Sequence, residues 1–275
     1  MNAICLCIDR LHAGFLGAYG NSWLETAALN RLAAESLVCD FAYIGAPDLE
    51  SLYRGCFTGR LAAAEAEEPA WQDRLPDWLR GRGVHTVLLT DEPCVVSGPG
   101  GAAFDDVISI ELPGSPRLAD SLESTHLARC FSAVVDRMAG LPQPFLLWVH
   151  LRGLGGPWDG PYELRAQLAD EEDPDPPSNV EPSDAMLEAD YDPDVVLGVV
   201  QAYAGQVRVL DACIDVFREA VAEQTSWEPT MQALFSARGF PLGEHRRLGP
   251  CDEALYGELV QTPLMLHIPG QDRIG

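Results

Sequence analysis

Five side chains invite a chemical reading first: Asp9, Arg10, Arg54, His150 and Arg238. Asp9 and His150 each close an apolar run of strand character, and Arg238 follows a third such run by two residues. In open α/β folds the carboxyl ends of the strands line the usual ligand crevice. Three arginines and a histidine gathered there could hold a carboxylate or phosphate without a metal. The same residues allow a simpler outcome, in which Asp9 pairs with Arg10 or Arg238, because buried charges must be compensated. The residues favour the second. Eight cysteines (5, 7, 39, 56, 94, 130, 213 and 251) show no C-x-x-C spacing, so they read as free, mostly buried thiols. Cys56 is expected in the core rather than as a nucleophile. Cys5 and Cys7 alternate on one strand and lack the neighbours of a metal site. The acidic run Asp170–Asp194 lacks the spacing and glycine of an EF-hand and reads as a solvated loop.

The elements that would position these residues alternate along the chain. Strands are expected at Ala3–Ile8, Val38–Ile44, Val84–Thr90, Phe104–Ile110, Pro144–His150, Thr230–Ser236 and Pro263–Ile268. Helices are expected at Thr26–Leu37, with Thr26 as N-cap, and at Trp71–Arg82, Leu118–Met138 and Val195–Ala222. Pro47–Arg60 reads as loop and helix, and Glu65–Pro69 as surface. Such alternation argues a doubly wound α/β fold, a three-layer α/β/α sandwich with a mostly parallel central sheet. Residues 1–275 read as one domain, with about 169–194 a flexible acidic loop holding eleven acids, five prolines and no base.

Charge narrows the partners. The net charge is −24, and all eighteen basic residues are arginine. That field repels phosphate backbones and anionic lipid, so neither nucleic acid nor membrane is expected as a partner. The opening Met1-Asn-Ala-Ile-Cys-Leu-Cys-Ile reads as a buried strand, not a signal peptide, and with the free thiols it points to the cytoplasm.

Several segments, in order, resemble the sulfatase family of the alkaline-phosphatase superfamily. Asn2–Leu11 followed by Leu16-Gly17-Ala18-Tyr19-Gly20-Asn21 is similar to the family's first strand, metal-binding Asp pair and "LGCYGN" loop. Leu29-Asn30-Arg31-Leu32-Ala33-Ala34-Glu35-Ser36 resembles its "LDRLAAEG" helix. Thr58-Gly59-Arg60 looks like the end of its signature segment, Leu242-Gly243-Glu244-His245 like "LGEHG", and Thr262-Pro263-Leu264 through Pro269-Gly270 like "VPLxxxxPG". The resemblance covers nearly the whole chain, and implies a smaller C-terminal subdomain that this sequence does not include.

The resemblance also says what the site should contain, and the matching positions differ. Counting back from Thr58-Gly59-Arg60, the family's formylglycine nucleophile falls on Leu49, its proline on Ser51 and its steadying arginine on Tyr53. Of the Ca²⁺ ligand positions Asp9, Arg10, Ala237 and Arg238, only Asp9 is kept. The sulfate-contacting lysine and histidine fall on Asp91 and Pro93, and a later lysine on Asp252. His150 alone keeps its identity. The expectation is a catalytically degenerate sulfatase-like protein that uses the fold for binding or regulation, of a small anionic ligand or a protein partner. No cofactor is expected, and Ca²⁺ only in a rearranged site. The alternatives are a hydrolase of sulfate or phosphate esters with such a site, and a structural partner of an active paralogue.

Overall fold

A computed structural model describes residues 1–60, 74–98, 100–114, 117–251 and 254–270. In chain order the elements are β1 (Asn2–Ile8), α1 (Ala27–Ala34), β2 (Leu37–Val38), α2 (Leu49–Thr58), α3 (Leu75–Arg80), β3 (His85–Thr90), α4 (Pro93–Ser97) and β4 (Asp106–Ser109). There follow α5 (His126–Met138), β5 (Phe145–Leu151), α6 (Tyr162–Ala166), β6 (Ala185–Met186), α7 (Pro193–Ala222), β7 (Thr230–Phe235), β8 (Arg247–Leu248), α8 (Gly257–Val260) and β9 (Leu264–His267). Seven strands form one sheet in the order β2-β9-β7-β1-β5-β3-β4. The five from β7 to β4 run parallel, and β9 is antiparallel to both of its neighbours. The sheet is mostly parallel, as the alternation of elements implies.

Side chains alternating along each strand build two cores. Ile4, Leu6 and Ile8 of β1 pack with Leu147 and Val149 of β5 under α1, α5 and α7. Cys5 and Cys7 face the other way, with Leu146 and Trp148, under Leu49, Tyr53 and Phe57 of α2. Helices therefore cover both faces, giving three layers. Every residue of β5 is buried, as a central parallel strand requires.

Local chemistry moved several boundaries. The helix expected over Leu118–Met138 starts at His126, where the Thr125 hydroxyl accepts from Ala128 N at 3.2 Å. The preceding Leu122–Ser124 is a separate 3₁₀ turn, closed when Ser121 N donates to Ser124 Oγ. Thr26 precedes α1, but its hydroxyl accepts from Gly17 N instead of capping the helix. The free amides of α1 donate to a distant carboxylate: Ala28 N and Leu29 N reach Asp211 of α7 at 3.2 and 2.8 Å. Of the strand expected over Val38–Ile44, only Leu37–Val38 joins the sheet, with Tyr43 in a lone bridge to Gln261. Glu65–Pro69 and Trp71–Asp73 lie outside the described residues.

The acidic stretch is anchored through its backbone. Most of its side chains are exposed, yet the guanidinium of buried Arg165 donates to the carbonyls of Pro177 and Asn179, at 2.5 and 2.9 Å. Trp158 N donates to Val180 O at 2.7 Å, and Val180 itself is buried. Further on, β6 pairs antiparallel with β8.

Candidate functional site at the carboxyl edge of the sheet

Strand register brings the chemistry-bearing residues to one edge. Cys7 of β1 lies opposite His150 of β5 on one side and Phe235 of β7 on the other, and Thr90 of β3 lies opposite His150. Asp9, Asp91 and the Ser236–Arg238 turn therefore leave neighbouring strands at the same end. Two glycines allow the chain to crowd there. A Cβ on Gly239 would stand 1.9 Å from Glu258 O, and one on Gly153, at φ +54°, would stand 2.9 Å from Asp9 O. Tyr203 of α7 pins the turn after β1: its hydroxyl donates to Arg10 O at 2.7 Å and accepts from His12 N at 2.8 Å. Arg10 takes a left-handed backbone, φ +64°, which costs a side-chain-bearing residue energy and must be held by such contacts.

Arg238 and Asp9 form a bidentate ion pair. Arg238 Nη2 donates to Asp9 Oδ2 at 2.6 Å and Nε donates to Oδ1 at 3.2 Å, while Nη1 reaches Pro47 O at 3.3 Å. Arg10 N adds a bond to Asp9 Oδ1 at 3.0 Å. Asp9 is 3% exposed. Burial by itself would push its carboxyl up; the Arg238 guanidinium, with help from His150 and Arg10, outweighs it and holds the carboxyl below its ordinary value. A carboxylate so placed stays charged because a cation sits on it. The pairing anticipated from the sequence is formed, with Arg238 supplying both prongs.

His150 is fully buried. Its Nδ1 meets the Tyr53 hydroxyl at 2.5 Å, and Trp148 Nε1 donates to the same hydroxyl at 3.5 Å. Burial pushes the His150 pKa down, against the pull of Asp9 and Asp91. Tyr53 also stacks on Phe57 and meets Trp148 and His150 edge-on, with centroids 5.3, 6.0 and 5.5 Å away. The aromatic residue in the family's arginine position thus extends the core up to the histidine. Leu49 is likewise buried, at the first turn of α2, where Asp48 caps by accepting from Ser51 N.

Other candidates lie elsewhere. Arg54 does not join Asp9; it points along the outer face of α2 and pairs with Glu50 at 3.0 Å. It helps line a cavity of about 340 Å³ with Tyr53, Cys94 and Ser97. The five-residue cluster imagined from the sequence is therefore not assembled, because helical phase turns Arg54 away from the strand ends. Cys56, expected in the core, is instead exposed, because helical phase on α2 sends Tyr53 and Phe57 inward, and it lines a second cavity, of about 370 Å³, between α2 and the ends of β7 and β9. Packing around its sulfur pushes the thiol up to about 11, so it is protonated at neutral pH. Cys5 and Cys7 are core residues. Pro93 opens α4, and Asp252 lies outside the described residues.

Asp91 has taken up a different set of partners. One oxygen accepts from Arg152 N at 2.8 Å, and the other meets His126 Nε2 at 3.0 Å and Cys130 Sγ at 3.7 Å. Sequence reasoning missed His126 and Cys130. The only signal was their four-residue spacing, which puts both on one face of α5.

These residues can be set against the Ca²⁺ that the family resemblance implies. Hard cations want several anionic or carbonyl oxygens. Among the four matching positions only Asp9 supplies a carboxylate, and both its oxygens are held by Arg238. Ala237 presents a buried methyl group. The donor set does not fit the ion, and no reaction step through it is derived.

The sulfatase family profile matches residues 1–273. No curated protein matches the chain by sequence. Among solved structures, a phosphonate monoester hydrolase of Agrobacterium radiobacter superposes with a TM-score of 0.74 at 14% identity, over 98% of this chain and 68% of that one. The C-terminal periplasmic domain of EcEptC from Escherichia coli, in complex with Zn, gives 0.71 at 12% identity, over 98% and 73%. A 2-O GAG sulfatase gives 0.69 at 13% identity, over 98% and 64%. At such identities the superpositions speak for the fold, and it is the profile match along nearly the whole length that places this chain in the sulfatase family.

Proposed function

We propose that this chain is a catalytically degenerate member of the sulfatase family, retaining the fold for binding or regulation. The observation that carries the reading is the bidentate Arg238–Asp9 pair, which puts a guanidinium on the one carboxylate left from the family's metal ligands. Tyr53 and Leu49 support it, since both fill with core packing the positions where the family places its arginine and nucleophile. The full burial of His150 supports the same reading. Arg238 donates to Asp9 and Pro47, and Arg54 to Glu50, which favours a protein partner over a small anion in the crevice. The net charge of −24 argues against nucleic acid and anionic membrane as that partner. Among the described residues no helix is long and apolar enough to cross a membrane. The eight free cysteines support a reducing compartment, the cytoplasm, although the EcEptC neighbour is a periplasmic domain.

The test is turnover of a nitrophenyl sulfate and phosphate panel, beside Ca²⁺-dependent thermal stabilisation. The wild type should show neither. The triple variant Arg10→Asp, Ala237→Asp, Arg238→Asn, which rebuilds an oxygen-rich cage around Asp9, should gain a Ca²⁺-dependent rise in Tm. Arg238→Ala alone should destabilise the fold by about 3 to 5 kcal/mol, because it leaves a buried carboxylate unpaired. Wild-type turnover that disappears in His150→Ala would instead establish an ester hydrolase with a rearranged site.

A further inference from the structure

The cluster around Asp91 is a set of metal donors that shares no residue with the four positions matched to the family's Ca²⁺ ligands. Asp91, His126 and Cys130 each offer one ligand atom, and the three atoms lie within 4.8 Å of one another. Their donors are a carboxylate oxygen, an imidazole nitrogen and a thiol sulfur. Ligand bonds of about 2.0 to 2.3 Å at tetrahedral angles hold such donors about 3.3 to 3.7 Å apart. From Asp91 Oδ2 the 3.7 Å contact to Cys130 Sγ falls in that range, while the 3.0 Å contact to His126 Nε2 is a hydrogen-bond distance that would open by a few tenths of an ångström around an ion.

The placement of the donors is fixed by the fold. His126 and Cys130 stand one turn apart on α5, the four-residue spacing by which a helix offers two ligands to one ion. Asp91 follows the end of β3, and its other oxygen is held by Arg152 N at 2.8 Å, so the ligating oxygen is oriented before any ion arrives. Two further atoms nearby lack partners although buried: His126 Nδ1 and Asp159 Oδ1. Asp159 is tied to the cluster through its other oxygen, which accepts from His126 N at 2.7 Å. A buried orphan nitrogen and a buried orphan carboxylate oxygen are costly unless something satisfies them.

We propose that Asp91, His126 and Cys130 bind a borderline-soft divalent transition metal, of the Zn²⁺ or Co²⁺ class, with a fourth coordination position toward solvent. Thiolate and imidazole ligands select such ions over Ca²⁺ and Mg²⁺. Beside the cluster, His126 and Asp159 line a cavity of about 240 Å³ with Arg117, Ser124 and Arg129. Coordination forms a metal–sulfur bond as the Cys130 S–H bond breaks, and the proton passes to solvent. Without an ion, burial and the Asp91 carboxylate push the Cys130 thiol well up, so the metal must supply the drive for that deprotonation. The site shares no residue with the Asp9–Arg238 pair, and the proposal stands or falls independently of catalytic degeneracy.

The test is a Co²⁺ titration of the whole chain after dialysis against chelator. The expected result is a thiolate-to-cobalt charge-transfer band that saturates at one equivalent, is bleached by Zn²⁺ and is untouched by excess Ca²⁺. Cys130→Ser should abolish the band and His126→Gln should weaken Co²⁺ binding at least tenfold, while Cys213→Ser, a buried thiol on α7, should leave both unchanged. Should circular dichroism show Cys130→Ser unfolded, Asp91→Asn carries the decision, with the same tenfold loss expected. An absent band, a band that survives Cys130→Ser in a folded protein, or unaltered affinity in Asp91→Asn would overturn the proposal. In that event the cluster is an ordinary Asp–His ion pair with a thiol beside it.

Discussion

His150 owes its character to burial. In the unfolded chain an imidazole takes up a proton near its ordinary value of 6.5, whereas in the fold burial pushes its pKa lower. The unfolded state therefore binds more protons below that value, and stability falls as pH drops from about 6.5 through the folded pKa. One such group contributes a slope of at most about 1.4 kcal/mol per pH unit. His12 is shifted in the same direction, by burial first, and adds to the same window. Urea unfolding of wild type and His150→Phe across pH 7 to 5 should show the variant losing less stability with acid; parallel curves would refute the assignment. Asp9 behaves as a paired carboxylate, with its contribution present at neutral pH and lost only as pH falls below the ordinary aspartate value of 3.8. That Asp9 needs a cation was legible in the sequence, since it follows an apolar strand. That Tyr53, 97 residues away, would bond His150 was not.

Among the elements, α1 shows how a short helix is held from outside. Its eight residues are too few to be stable alone, and its hydroxyl-bearing N-cap residue bonds elsewhere. The carboxylate of Asp211, on the long helix α7, accepts from the first-turn amides and suits the positive end of the helix dipole. Asp211→Ala should cost about 1 to 2 kcal/mol and raise hydrogen exchange at the Ala28 and Leu29 amides, while Thr26→Ala should leave those amides protected. Equal exchange in both variants would reject this anchoring. The sequence pattern placed α1 correctly within two or three residues, because its apolar spacing is helical. Its true cap was hidden because the partner lies 182 residues further along the chain.

At the scale of the whole molecule, a net charge of −24 on 275 residues works against compactness. Many surface ion pairs offset it locally, such as Arg137–Asp106 at 2.7 Å and Arg218–Glu35 at 2.5 Å, each of modest worth. Raising ionic strength from about 0.01 M to about 0.1 M shortens the screening length from about 30 to about 10 Å. Self-repulsion should weaken more than these close pairs do, so Tm should rise by a few degrees; a fall would mean that the pairs dominate. The acidic stretch 170–194 concentrates this repulsion, and Arg165 holds it through backbone carbonyls. Its composition alone suggested a loop with nothing to hold it.

By itself the sequence determined the alternating α/β architecture and the family, and its resemblance to that family set non-ligand residue types at Arg10, Ala237 and Arg238. The architecture follows from periodicity, and the family from motifs matched in order along the chain; both are read along the sequence without knowing which residues meet. Only the tertiary structure decided which charges meet. Strand register set Arg238 on Asp9, helical phase turned Arg54 to Glu50, and the packing of α5 against the end of β3 brought His126 and Cys130 to Asp91. Contacts of a few ångströms between residues tens to hundreds of positions apart depend on how layers stack, and no pattern along the chain encodes that distance.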